Sequence, residues 1–243
     1  MKLNCDLGES YGIWQIGRDD AVMPHIDMAN IACGFHASDP DVMAQTIQSA
    51  IKHNVVIGAH PGYQDKQGFG RRSIPHTHDE LKHLFIYQVG AMQGMCRLFG
   101  AEIGYIKPHG ALYNDMMANE AVFLALVEAM AQANMRIPLM ILARSDNQTY
   151  QAIADQHGVE LLFEAFADRA YTVEGQLVAR SIEGAVYHDA DTIIRQVKQL
   201  VEKGTITTLE GVDIPLHADT VCVHGDNDES VATIAQLREA LGE

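Results

Sequence analysis

Basic residues are scarce in this sequence, and their scarcity limits the partners that the protein can have. The 243 residues contain 17 Lys and Arg against 32 Asp and Glu, which gives a formal net charge of -15. Because nucleic-acid binding relies on clustered Lys and Arg, we expect no nucleic-acid partner. The local cations at Arg71, Arg72 and Lys107 still allow a pocket for an anionic small molecule.

The sequence also lacks long apolar runs and flexible linkers. No stretch has the length of a membrane span, and the amino terminus turns acidic at Asp6 before the hydrophobic region of a signal peptide could form. No segment rich in Pro, Gly and Ser divides the chain. We therefore expect a cytoplasmic protein, not bound to a membrane, in which residues 1–243 form a single domain.

Cysteine pairs and nucleotide motifs are missing as well. The four cysteines are widely separated and form no CxxC, which predicts reduced thiols rather than a zinc ribbon or a disulfide framework. There is no GxxxxGK[ST], and the stretch from Gly68 to Arg72 lacks the third glycine of a dinucleotide fingerprint. ATP binding through a phosphate loop is therefore not expected in this chain.

Apolar segments with strand character alternate with helical patterns along the chain. The strands are predicted near residues 1–5, 26–33, 55–59, 102–107, 137–143, 159–164 and 219–224. Such alternation predicts an α/β fold with a parallel sheet, either closed as a barrel or open and doubly wound. Polar clusters at strand ends throughout the chain favour a (β/α) barrel, seven-stranded and nearly closed.

Capping signals place the helices between these strands. Asp39-Pro40 opens a helix that runs to about His53, and a capping box from Thr77 to Glu80 precedes a helix over 81–99. Further helices are predicted over 119–134, 145–157, 189–203 and 228–241. Residues 171–178 and 206–216 resemble hairpins that decorate the barrel.

Acidic, histidine and lysine side chains cluster where the predicted strands end. Because the carboxyl ends of parallel strands share one face, we expect these side chains to form one composite site. Asp6, His36 and His60 offer one oxygen and two imidazole ligands, which suit a divalent metal with an open position. Histidines at strand ends can equally well donate hydrogen bonds to carbonyl or carboxylate oxygens, so both interpretations remain open.

The remaining clusters carry groups suited to proton transfer and anion binding. Lys107 and His109 are suited to holding an oxyanion and moving a proton, although a turn with a surface lysine would look the same. His224 and Asp226 follow the last predicted strand. The guanidinium groups of Arg71, Arg72 and Arg169 are candidates for anion binding, and Asp168 stands beside the last of them.

Taken together, these segments resemble the LamB/YcsF family over nearly the whole chain. The matching segments are Asn4–Glu9, Ala29–Ala37, Gly58–Tyr63, Gly68–Arg71, Lys107–Asn114, Phe166–Arg169 and Cys222–Asp226. Ser38 and Gln64 depart from the family pattern, which usually has glycine and often proline at these positions. Both departures lie in loops beside the predicted site.

The resemblance implies a fold and an activity. The fold is a (β/α) barrel related to the glycoside hydrolase and deacetylase superfamily. The activity is the ATP-dependent opening of the 5-oxo-L-proline lactam to L-glutamate, performed with 5-oxoprolinase subunits B and C. Because the chain has no nucleotide motif, we expect the partner subunits to carry out phosphoryl transfer while this chain supports ring opening.

Residue roles follow from that implied chemistry. Asp6, His36 and His60 would hold a metal or a water, Glu9 or Asp226 would act as general base, and His109 or His224 would protonate the lactam nitrogen. Lys107 would hold the substrate carboxylate or a developing oxyanion, and Arg71, Asp168 and Arg169 would bind substrate. Two alternatives stay open: a stand-alone metal-dependent amide deacetylase, and a non-catalytic component that binds substrate for the complex.

Overall fold

Seven parallel strands close into a barrel in this computed structural model, which describes residues 1–144, 147–225 and 227–241. The barrel strands are β1 (Lys2–Leu7), β2 (Met28–Ala32), β3 (Val56–His60), β4 (Tyr105–Ile106), β5 (Leu139–Leu142), β6 (Leu161–Phe166) and β9 (Thr220–Val223). Closure occurs where β9 pairs with both β1 and β6. The predicted seven-stranded barrel is confirmed, and its closure is complete.

Helices surround the barrel, and six of those described lie where the capping and periodicity signals predicted them. They are α1 (Asp19–Val22), α2 (Pro40–His53), α3 (His78–Leu98), α4 (Gly110–Ala118), α5 (Glu120–Gln132), α6 (Gln148–His157), α7 (Ala190–Lys203) and α8 (Asp228–Ala240), with a 3-10 turn at Met23–His25. Asp39 caps α2, and Thr77 and Glu80 form the predicted capping box of α3. Residues 145 and 146 of one predicted helix lie outside the described residues.

Two elements differ from the sequence-based expectation. No sequence signal placed a helix over 110–118, where α4 begins directly after the polar cluster at Lys107 and His109. The short helix α1 was also missed. Both predicted hairpins are present: β7 (Thr205–Thr207) pairs antiparallel with β8 (Asp213–Pro215), and Tyr171 bridges Leu177.

Most of the apolar core has two parts, because each strand presents alternate residues to opposite faces. A third, small cluster of Ala170, Val178 and Ala185 lies in the segment between β6 and α7. The larger part lies between the barrel and the helices. The smaller part contains Met28, Tyr105 and Met140, with Leu162 packed against them. Met28, Tyr105 and Leu162 lie two positions before Asn30, Lys107 and Glu164, so they share a strand face with these polar residues.

No helix among the described residues is both long and apolar enough to cross a membrane.

Candidate functional site

A cavity of about 830 Å³ opens at the carboxyl ends of the barrel strands. Most residues predicted from the sequence line it: Asp6, Glu9, His60, Arg71, Lys107, His109, Asp168, Arg169 and His224. His36 lies behind this wall, with its ring stacked on that of His109 at 3.6 Å between ring centroids. Asp226 lies outside the described residues. The side chains expected at the strand ends therefore line one cavity.

Lys107 follows β4 and enters the floor of the cavity. Only 3% of the residue is exposed, so the alternative of a turn with a surface lysine is wrong. Its Nζ lies 3.1 Å from Asp6 Oδ1 and 3.0 Å from Glu164 Oε2. Burial alone would lower the pKa of Lys107, but Asp6, Cys222 and Glu164 outweigh it and raise the pKa well above its ordinary value. Lys107 is thus a fixed cation.

A polar layer beneath Lys107 holds the barrel interior in one arrangement. Asn30 Nδ2 donates to Asn4 Oδ1 at 2.8 Å and to Asp6 Oδ1 at 2.7 Å, while the Tyr105 hydroxyl donates to Asn30 Oδ1 at 2.6 Å. A Cβ at Gly58 would overlap the Tyr105 ring, so glycine is needed where this ring crosses the barrel. The layer fixes the position of the Asp6 carboxylate.

Glu164 is a functional candidate that the sequence reasoning missed. It is fully buried in β6, where burial raises the pKa of its carboxyl group despite the neighbouring Lys107. Its position within an apolar strand could have identified it from the sequence, because a carboxylate buried in such a strand requires a buried partner. Asp6 behaves in the opposite way: burial would raise its pKa, but His60 and Lys107 lower it well below its ordinary value.

Three imidazoles and one carboxylate form a compact group beside Asp6. Their ligand atoms all lie within 4.8 Å of one another, and we call the group the Glu/His cluster: Glu9, His36, His60 and His109. Asp6 lies at its edge, with Oδ2 3.4 Å from His60 Nε2. The structure therefore brings together the two predicted histidine ligands, and adds Glu9 and His109 to them.

Hydrogen bonds to backbone carbonyls orient two rings of the Glu/His cluster. His60 Nδ1 donates to Lys107 O at 2.6 Å, and His109 Nε2 donates to Phe69 O at 2.8 Å. Burial lowers the pKa of His109 well below its ordinary value, and the nearby His36 and His60 lower it further. His109 is therefore neutral near pH 7, which makes it poorly suited to donate a proton to the lactam nitrogen.

His224 and Asp168 form a second titratable pair across the cavity. His224 Nδ1 lies 2.8 Å from Asp168 Oδ2. Burial opposes the charge on the imidazole, but Asp168 outweighs that effect and raises the pKa of His224. The same contact lowers the pKa of Asp168, against the effect of burial. The raised pKa of His224 thus favours its protonated form.

The arginines divide between the cavity and the loop that covers it. Arg169 is largely buried and donates to Val178 O at 2.6 Å and to Ala185 O at 3.3 Å, so two of its nitrogens hold the backbone of residues 178–185. Arg71 lines the cavity and is exposed. Arg180 lies on the covering loop and also lines the cavity, although no sequence motif singled it out. Arg72 instead pairs with Asp65.

Comparisons with known proteins agree with this architecture. The family model described as "LamB/YcsF family" matches residues 1–243. The chain is 57% identical over 241 residues to the 5-oxoprolinase A subunit of Vibrio parahaemolyticus, covering 99% of this chain and 95% of the relative. It is 52% identical over 243 residues to the 5-oxoprolinase A subunit of Pseudomonas fluorescens, covering 100% and 97%.

A solved structure shares the whole fold. The lactam utilization protein from Thermus thermophilus superposes with a TM-score of 0.93 at 33% sequence identity, covering 100% of this chain and 96% of that one.

Proposed function

Because the chain belongs to the LamB/YcsF family, we propose that it is the A subunit of a 5-oxoprolinase. In this role it opens the lactam of 5-oxo-L-proline to give L-glutamate, with ATP consumed by the assembled complex. The observation that carries the proposal is the identity of 52–57% over the full length to relatives of that name. The cavity supports it with a buried cation, carboxylates and imidazoles around one space.

Lactam hydrolysis sets three chemical requirements. The amide is stabilised by resonance, so its carbonyl must be polarised, water must be activated, and the leaving nitrogen must receive a proton. The Lys107 ammonium is held at the cavity floor and would stabilise negative charge on the carbonyl oxygen. His224 would protonate the nitrogen, since Asp168 favours its charged form. These contacts favour His224 over His109 as the acid.

The proton acceptor is a carboxylate in this proposal. Glu9 lines the cavity with its side chain only 13% exposed, and Asp226 follows the last barrel strand in sequence. Asp6 is less suited to accept a proton, because its lowered pKa makes it a weak base. Arg71 would bind the substrate carboxylate from the rim of the cavity, because a guanidinium matches a carboxylate with two parallel hydrogen bonds.

ATP use is assigned to the partner subunits. The sequence contains no phosphate-binding loop motif, and a lactam carbonyl needs activation that ATP can supply. We therefore propose that subunits B and C carry out phosphoryl transfer and that this chain opens the ring. We further propose that residues 1–243 act as a single domain and that a divalent metal takes part.

The test is glutamate formation from 5-oxoproline and ATP by the chain alone, the partners alone, and the mixture. Activity in the mixture alone is expected, and ATP turnover by this chain alone would contradict the division of labour. The variant His224→Gln should lower the activity of the mixture, while His83→Gln, on the exposed face of α3, should not. Full activity after combined Asp6→Ala and His60→Ala would place the reaction elsewhere.

A metal-dependent amide deacetylase is the second candidate, because the Glu/His cluster could serve such a reaction. Acetate release from an N-acetylated substrate without ATP would favour it. Ring opening of 5-oxoproline that requires both ATP and the partners would exclude it as the main activity.

A further inference from the structure

Two nitrogen lone pairs of the Glu/His cluster face each other. Because His60 Nδ1 and His109 Nε2 both donate to carbonyl oxygens, each of these nitrogens carries a proton. In the tautomer that these contacts fix, the other nitrogen of each ring, His60 Nε2 and His109 Nδ1, is a bare acceptor. These two atoms lie 3.0 Å apart. Two acceptors at this distance repel each other unless a positive charge lies between or beside them.

The other two members of the cluster complete a ligand set around the same point. Glu9 Oε1 lies 3.5 Å from His109 Nδ1 and 3.2 Å from His36 Nε2. With metal–nitrogen bonds of about 2.0–2.1 Å, neighbouring ligand atoms of a tetrahedral site lie roughly 3.3–3.4 Å apart. The separations of 3.0, 3.2 and 3.5 Å bracket that value.

The backbone holds these side chains at close range. Gly70, at a φ of +62°, passes directly beneath the rings: a Cβ there would lie 2.6 Å from His36 Cβ and 2.7 Å from His109 Cδ2. His36 and His60 are each 1% exposed, whereas the Glu9 side chain is 13% exposed and reaches the cavity. The cluster is therefore built from buried imidazoles and is open on one side, towards the space where substrate would bind.

We infer that the Glu/His cluster binds one divalent transition-metal cation. Three imidazoles with one carboxylate select the zinc class of ions, because Mg²⁺ and Ca²⁺ prefer oxygen ligands. The carbonyl partners of His60 and His109 are the outer contacts that fix a ligating tautomer. The ligand set differs from the one predicted from sequence: Asp6 is not among the residues whose ligand atoms all lie within 4.8 Å of one another, and its Oδ1 binds Lys107 and Asn30.

The inferred site deepens the proposed function without depending on its substrate. A bound cation of this class supplies Lewis-acid polarisation of a carbonyl oxygen. As a ligand, Glu9 would not serve as the proton acceptor in ring opening. Among the described residues, His36 Nδ1 has no hydrogen-bond partner, so its tautomer is not fixed by the protein. His36 should therefore contribute less to cation affinity than His60 or His109.

The inference is tested on the full chain after a chelator has removed any bound metal. Titration calorimetry then measures Zn²⁺ binding, and the metal content after dialysis gives the number of cations per chain. We expect one cation per chain and little binding of Mg²⁺. His60→Ala and His109→Ala should each weaken Zn²⁺ binding by more than about 100-fold. A residue that only orients a ligand, without touching the metal, typically accounts for about 10- to 100-fold. His36→Ala should weaken it less, and His83→Ala and His224→Ala should leave it unchanged.

Two further measurements keep the result independent of folding and of activity. Far-UV circular dichroism must show that each variant is folded, and His109→Gln replaces His109→Ala if the alanine variant unfolds. Co²⁺ bound to the wild-type chain should give the intense visible absorption of a four-coordinate site. Absence of stoichiometric uptake by the folded wild-type chain, or equal weakening by His83→Ala, would overturn the inference. Neither result would bear on whether the complex hydrolyses 5-oxoproline.

Discussion

Lys107 and Glu164 form an ion pair of 3.0 Å in which neither residue is more than 3% exposed. The pair lies in the barrel interior, and Asp6 contacts the same ammonium from the other side. Charges at this depth are tolerated only when they are paired, because each loses its hydration on folding. Removing one partner therefore costs more than the pair itself contributes.

Lys107→Met should lower the free energy of unfolding by about 3–5 kcal/mol, since it leaves two carboxylates without their cation. Adding Glu164→Gln to that variant should recover part of the loss. The exposed pair of Arg18 with Asp228 provides the control, and Arg18→Met should cost less than about 1 kcal/mol. Equal losses at positions 18 and 107, measured by urea denaturation, would contradict the buried role of Lys107.

Gly58→Ala should destabilise the protein by about 1–3 kcal/mol, because the added methyl group overlaps the Tyr105 ring. A second substitution, Tyr105→Ala, should remove that specific clash, so that Gly58→Ala costs little in the Tyr105→Ala background. Gly90→Ala is the matched control in α3. A Cβ at this position would have no described heavy atom within 4 Å, apart from its chain neighbours and the backbone of its own helix. It should stabilise the helix by about 0.5–1 kcal/mol. Thermal melts of the four variants test this.

The pair of His224 with Asp168 should make stability depend on pH. The folded-state pKa of His224 is raised, so its contribution is fully present below the unfolded value of about 6.5 and is lost as pH rises through the folded value. The pKa of Asp168 is lowered, so its contribution is present above about 4 and is lost as pH falls through the folded value. The pair therefore stabilises most between these limits.

The difference in unfolding free energy between wild type and His224→Asn should accordingly be largest near pH ~5 to 6 and shrink towards pH ~9. In the Asp168→Asn background, most of that pH dependence should disappear. A difference that grows with rising pH would contradict the assigned direction of the shift.

Arg71→Ala should raise the KM of the assembled complex for 5-oxoproline by roughly 10- to 150-fold, because a hydrogen bond to a charged group contributes roughly 1.5–3 kcal/mol. The kcat should change much less, since Arg71 lies at the rim of the cavity. Arg72→Ala is the neighbouring control, because Arg72 pairs with Asp65 instead. If the two variants raised KM equally, substrate binding would not be assigned to Arg71.

Much of the fold could be predicted from sequence because local signals and global topology agree. Asp39 before Pro40, and Thr77 with Glu80, mark helix starts whose capping contacts form within the helix itself. The strand segments alternate with helices, which leaves few topologies for a parallel sheet. The helix α4 was missed because proline at 108 and glycine at 110 are more typical of a fixed loop backbone than of a helix, whereas Gly110 begins the helix.

The site was only partly predictable, because strand ends reveal which residues meet but not how their side chains point. Asp6 and His60 were correctly expected to lie close together. The pairing of Lys107 with Glu164 could not be predicted, since Glu164 comes from a strand far along the chain. Whether its side chain points into the barrel depends on the register of β6 against its neighbouring strands, which the sequence does not reveal. Arg169 looked like an anion ligand, yet backbone carbonyls that no sequence pattern reveals take two of its nitrogens.

The pairing of β9 with β1 and β6 has a consequence for biosynthesis. Residues 220–223 supply the strand that joins the two open edges, so a nascent chain that has not reached them exposes unpaired backbone along β1 and β6. Contacts between β1 and β9 span more than 200 residues, which makes ring closure a slow, late event. Newly made chains therefore pass through a period of vulnerability to aggregation that ends only when the final strand docks.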